Sequence, residues 1–163
     1  MEIYSVINRL RFKKELHKKL VYDKNNINRI KYFLMTIESY YKWYKEFKIN
    51  TNNTIPKPDK SIILTKDATD IEHIYSQESK IKDTDIEEIK NSLGNLTLWA
   101  ATDNRAKGNI DFKGKKEEYR KSAIGITKDI GNKINSWSVG AIAERESLYC
   151  EIASLIFDLN VSD

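Results

Sequence analysis

The sequence predicts an α+β fold that is mainly helical, and three observations carry that reading. Apolar residues recur at helical spacing over 3–20, 27–48 and 139–159. Between the second and third stretches the texture changes to short β-branched runs, SIILT at 61–65 and DIEHIY at 70–75, split by a polar KDA turn. The size fits one core: 163 residues, 40% hydrophobic and 32% charged, exclude a fibrous, collagenous or fully disordered chain.

The first helix rests on Ile3, Val6, Ile7, Leu10, Leu16 and Leu20, with Arg9, Arg11, Lys13, Lys14, Lys18 and Lys19 between them. DKNN at 23–26 is a turn that offers an Asn N-cap. A second helix follows from the 3, 4, 3, 4, 3 spacing of Ile27, Ile30, Leu34, Ile37, Tyr41 and Tyr44. INTNNTIPKPDK at 49–60 holds both prolines and marks a loop. After the two short strands, DTDIEEIKN predicts a helix over 83–91, with Asp83 or Thr84 as cap and acids in the first turn, where the helix dipole favours them. LGNLTLW at 93–99 reads as a Gly-Asn turn leading into a strand. TDNRAKGN fits a brief helix from Thr102 that Gly108 ends, and FKGKKEEYRKS at 112–122 fits another. Val139, Ile142, Leu148, Ile152, Leu155, Ile156 and Leu159 describe the closing helix, capped by Ser136 or Ser138. The aromatics Tyr40, Tyr41, Trp43, Tyr44, Trp99, Phe112 and Trp137 are assigned to the core.

The net charge is only +4, but it is uneven: residues 1–60 hold 14 basic and 6 acidic side chains, and 61–163 hold 14 and 18. The single Cys150 excludes an intrachain disulfide and a Cys-rich zinc cage, which suits a reducing cytoplasm. No apolar run approaches the ~18 residues of a membrane span, and the first residues lack a secretion-type apolar segment, so a cytoplasmic protein is expected.

Chemistry concentrates after residue 69. His17 lies among lysines and reads as a solvated surface residue, whereas His73 follows Glu72 and lies near Asp70 at the end of a predicted strand. Strand alternation sends Glu72 to the opposite face from His73. An imidazole of ordinary pKa ~6.5 is mostly neutral at cytoplasmic pH and can accept a proton from water. Downstream the chain reads NLTLWAATDNRAK, with Asn95, then Asn104 nine residues on, then Lys107 one helical turn beyond. Asn95 suits a left-handed turn position and Asn104 suits a helix N-cap. Arg105, Lys107, Lys113, Lys115, Lys116, Arg120 and Lys121 form a basic run, either a solvated helix face or a set of phosphate contacts.

These segments together resemble the HNH, or His-Me finger, nucleases, in which a β-hairpin and a helix clamp one metal ion (ββα-metal). More specifically they resemble the C-terminal domain of the GmrSD-type restriction endonucleases. The resemblance runs through Glu72-His73-Ile74-Tyr75-Ser76-Gln77, Leu93-Gly94-Asn95-Leu96-Thr97-Leu98, Asn104 to Asn109 with Phe112, Lys115 and Lys116, and Trp137, Ile142 and Arg145; RIKYFLMTIESYY at 29–41 is similar to that family's helical lead-in. It implies one nuclease domain over 1–163, with an α-hairpin at 1–48, a ββα-metal core at 61–122 and a C-terminal helix at 136–160. By that resemblance His73 is the general base and Asn95 the residue that ties the finger loop and helps place it. Glu72 and Asn104 hold one divalent ion, Mg²⁺ or Mn²⁺, which prefers oxygen ligands. Lys107, Arg105, Lys115 and Lys116 meet DNA phosphates. The implied setting is bacterial restriction, with DNA as substrate, modified phage DNA being one candidate. The implied partner is a ParB-like nucleotide-hydrolysing domain or subunit, whose DGQQR motif is not in these residues.

Ser76 departs from the family pattern, standing where a proline is usual, and the acid before the histidine is Glu, as is common in the GmrSD-type family, rather than the Asp of broader HNH enzymes. Two rivals follow from the same residues: a nucleic-acid-binding module without catalysis, and a helical interaction subunit whose basic first helix docks on an acidic partner.

Overall fold

The computed structural model describes residues 2–50, 56–57, 69–80, 82–100 and 110–157. Two long helices open the chain, α1 at Glu2–Lys19 and α2 at Ile27–Ile49. The expected turn between them forms, but its organiser is Asp23, whose Oδ1 accepts from the backbone N–H groups of Asn25 (2.7 Å) and Asn26 (2.9 Å). Asn26 stands at the N-cap position of α2 and makes no capping bond; its Nδ2 turns back to donate to Val21 O and Asp23 Oδ2.

One face of α2 buries Ile30, Leu34, Met35, Ile37, Tyr40, Tyr41, Trp43 and Tyr44, so the aromatic cluster is core, as expected. Burying each large apolar side chain contributes on the order of 2 kcal/mol, and this stripe is the centre of the larger of two apolar clusters. Against it lie Leu16 of α1 and the face of the closing helix, α6 at Val139–Ile156, that carries Tyr149, Cys150, Ile152, Ala153 and Ile156. Ser138 caps α6 by accepting from Ala141 N at 3.2 Å. His17 is not merely solvated: its Nδ1 lies 3.0 Å from the Glu146 carboxylate and ties α1 to α6.

Strand β1, Thr69–His73, pairs antiparallel with β2, Leu96–Ala100, so that His73 faces Leu96 across the ladder and Glu72 faces Thr97. Period-two alternation then sorts the side chains. Ile71, Leu96 and Leu98 join the α1–α2–α6 core, whereas Trp99 joins a second cluster with Ile74, Tyr119 and Ile130. The sheet is a partition between two apolar groups. Between its strands come α3, Thr84–Ile89, capped by Asp83 through Asp85 N and Ile86 N, and a 3₁₀ turn at Leu93–Asn95. Gly94 of that turn allows no side chain, because a Cβ there would sit 2.1 Å from the carbonyl oxygen of Ile142 in α6.

After the sheet, α4 at Phe112–Lys121 is capped by Asp111, which accepts from Gly114 N at 2.8 Å. A further helix, α5 at Gly125–Lys133, has no counterpart in the sequence reading. Glu38 of α2 supplies its cap: the two carboxylate oxygens accept from Gly125 N at 2.6 Å and Ile126 N at 2.9 Å. Burial holds the Glu38 pKa above the usual carboxylate range even so. The expected strand at 61–65, the 66–68 turn, the brief helix from Thr102 and most of the 49–60 loop lie outside the described residues. Among the described residues no helix is long and apolar enough to cross a membrane.

Candidate active site

His73 closes β1 with its imidazole on the same sheet face as Ile71, and it is 7% exposed. The Tyr22 ring packs on it in a T-shaped contact, centroids 4.4 Å apart, and Tyr22 is itself pinned just past the end of α3 by Tyr22 N donating to Asn91 O at 2.8 Å. Burial drives the His73 pKa down to about 4, with the cations Lys115 and Lys90 adding to the fall and the Asn91 side chain opposing it. The ring is therefore neutral near pH 7. Nε2 lies 3.3 Å from Nε2 of Gln77, and with the amide assigned as donor the lone pair is on Nε2 and the ring proton on Nδ1.

The turn after His73 is closed without the usual proline. Ser76 is buried; its Oγ accepts from Glu78 N at 3.3 Å and its carbonyl accepts from Ser79 N at 3.2 Å. Asn95, 0% exposed, holds the same turn from across the hairpin. Its Oδ1 accepts from Tyr75 N (2.9 Å) and from Trp137 Nε1 (2.9 Å), and its Nδ2 donates to Tyr75 O (3.1 Å) and Lys90 O (2.7 Å). One carboxamide joins the His73 turn, the end of α3 and the segment before α6. Arg145 supports it from behind: Nε donates to Gly94 O and a guanidinium nitrogen to Leu96 O, each at 3.0 Å, with Tyr149 OH as a further partner. The guanidinium thus holds the carbonyls of the 3₁₀ turn and the start of β2.

Glu72 points the other way, as alternation requires, and it is 2% exposed. Its Oε1 accepts from Lys115 Nζ at 2.5 Å and from Tyr119 OH at 3.0 Å. Lys115, 0% exposed, also donates to the carbonyl oxygen of His73 at 2.9 Å. Burial pulls the Glu72 pKa up and the Lys115 pKa down, each against the attraction of its partner, and burial with the Glu72 charge pushes Tyr119 far up. Lys115 is thus not a phosphate-binding surface residue: the helical phase that puts Phe112 and Tyr119 inward puts Lys115 inward too. Lys116 is on the accessible side of α4 and donates to Asn135 Oδ1 at 3.2 Å.

Asn104, Arg105 and Lys107 lie outside the described residues. Among the described residues no group of three or more His, Cys, Asp or Glu side chains converges as a metal cluster would. Glu72 does not fit the metal-ligand role expected for it, because an ammonium already sits 2.5 Å from its carboxylate and would repel a divalent ion placed there. Sequence reading missed the roles of Tyr22, Gln77, Asn91 and Tyr119; only the Lys115–Tyr119 spacing of one helical turn was a usable signal.

No curated protein matches the chain significantly. The family model for GmrSD restriction endonucleases, C-terminal domain, matches residues 7–152, a span that holds β1, the Asn95 turn, the Glu72–Lys115–Tyr119 group and nearly all of α6. With so much of the chain covered, and every element that surrounds His73 inside the match, the protein belongs to the GmrSD restriction endonuclease C-terminal domain family.

Proposed function

We propose that this chain hydrolyses phosphodiester bonds in DNA as the nuclease domain of a bacterial restriction system, with His73 as general base. The observation that carries the proposal is the placement of His73: an imidazole at the end of β1, on a turn held by Asn95, with Nε2 3.3 Å from the Gln77 amide. A water that donates to Nε2 in place of the Gln77 amide gives up its proton there and attacks phosphorus, one P–O ester bond breaks, and the leaving oxygen takes a proton from solvent. Asn95 keeps the turn, and so the ring, in place. Arg105 and Lys107 are proposed as phosphate contacts together with Lys116. Such contacts position DNA without reading its sequence.

Asn104 is the proposed ligand for Mg²⁺ or Mn²⁺, and Glu72 is not its companion. The resemblance also supports modified phage DNA as substrate and a ParB-like nucleotide-hydrolysing partner that selects it. Plasmid nicking with Mg²⁺ or Mn²⁺, with and without EDTA, beside His73→Ala, tests the reading. Nicking is expected from the native chain and its loss, by about 10²-fold or more, from the variant. Full activity in His73→Ala removes His73 from the mechanism, and salt-sensitive DNA binding with no cleavage replaces the nuclease with a binding module.

A further inference from the structure

The buried ion pair beneath the hairpin has no evident use in stability. A carboxylate and an ammonium taken out of water lose more solvation than a well-packed apolar pair of the same size would, so such a pair is weak evidence of stabilisation. Its position is more informative. Lys115 Nζ reaches two points on one two-residue stretch: the Glu72 side chain at 2.5 Å and the His73 carbonyl at 2.9 Å. Tyr119, one turn along α4, adds a bond to the same carboxylate oxygen at 3.0 Å. The contacts grip β1 from the face opposite the imidazole, where nothing they do blocks the approach to His73.

We infer that Lys115 is a positioning residue for hydrolysis at His73, and that Glu72 serves as its counter-ion. The inference rests on the nuclease reading given above. An ammonium on the His73 carbonyl fixes the plane of the peptide that carries the histidine, and the anchored Glu72 side chain fixes the residue before it. Together with Asn95 on the following turn, they hold the imidazole from both sides in sequence. Methionine at 115 keeps much of the volume and removes both donors. Displacement of a catalytic group by about 1 Å costs on the order of 10²-fold in rate.

The test compares the full chain with Lys115→Met, with Lys115→Met/Glu72→Gln, and with His73→Ala. The double variant leaves no uncompensated charge under the sheet, and Tyr119 retains an acceptor. The chain has only two histidines, so the imidazole NMR signals of His73 are assigned by their loss in His73→Ala. The expected result is a folded double variant in which those signals are shifted, nicking falls about 10- to 10²-fold in kcat, KM for DNA changes by less than about twofold, and Mn²⁺ affinity is unchanged. Unshifted His73 signals with native kcat in the folded double variant overturn the inference, since Lys115 then only balances Glu72. Failure of both Lys115 variants to fold also overturns it, by making Lys115 a residue of the fold alone. Loss of Mn²⁺ affinity in the double variant overturns the counter-ion assignment of Glu72. If the native chain does not nick DNA, or His73→Ala still does, the nuclease reading fails, while shifted His73 signals continue to show the grip of Lys115.

Discussion

Asn95→Ala removes four hydrogen bonds at once, and their loss can be sized from the structure. The side chain is fully buried; truncation leaves the N–H groups of Tyr75 and Trp137 and the carbonyls of Tyr75 and Lys90 without this partner. At a net value of about 1 kcal/mol for each bond, the variant loses about 4 kcal/mol. For a chain of this size about 1 kcal/mol moves Tm by roughly 3 °C, so a fall of about 12 °C is expected by scanning calorimetry. Asn95→Asp separates donors from acceptors. It keeps an oxygen for Tyr75 N and Trp137 but turns a carboxylate toward the Tyr75 and Lys90 carbonyls, and it is expected to cost at least as much at pH 7 as the alanine variant. Amide exchange at Tyr75 should speed in Asn95→Ala, because its acceptor is gone. A Tm loss under about 3 °C in both variants would refute the view that this carboxamide holds the turn.

Two further perturbations follow. The His73 pKa is lowered in the fold, from 6.5 to about 4, so its contribution to stability is present above about pH 6.5 and is lost as pH falls toward 4, by at most about 3 kcal/mol. Urea midpoints for the native chain should therefore fall more steeply between pH 6.5 and 4 than those of His73→Leu, and equal slopes would show that burial does not hold this ring neutral. Gly94→Ala places a Cβ 2.1 Å from the Ile142 carbonyl oxygen, and backbone has to move; about 1–3 kcal/mol should be lost in urea titration, whereas an unchanged midpoint would mean that the turn and α6 are not packed as described.

What the sequence made legible, and what it hid, divides by distance along the chain. The helices α1 and α2 are set by periodicity, and α4 and α6 also by caps a few residues away, Asp111 and Ser138. Helix α5 was missed because its local signals are weak and its cap is remote. Gly125 and Gly131 lower its propensity, and Glu38 reaches it from a position 87 residues earlier. Gly131 is there for packing, since a Cβ would meet Arg120 N at 2.5 Å and Lys116 O at 2.7 Å in α4. The same reasoning applies to His17 and Arg145, whose partners Glu146 and the Gly94 and Leu96 carbonyls are close only after folding.

The candidate site shows a subtler limit. Alternation along β1 correctly separates Glu72 from His73, and that separation undermines the metal role given to Glu72 by resemblance: neighbours in sequence on a strand look into different compartments. Once Glu72 faces α4, its partner must come from the inward positions of that helix, and the spacing from Phe112 through Lys115 to Tyr119 identifies those positions. A basic residue on an apolar stripe therefore signals a buried carboxylate across the interface rather than a phosphate outside it. Lys115 and Lys116 are adjacent members of one basic run, and their helical phase sends the first to Glu72 and leaves the second accessible.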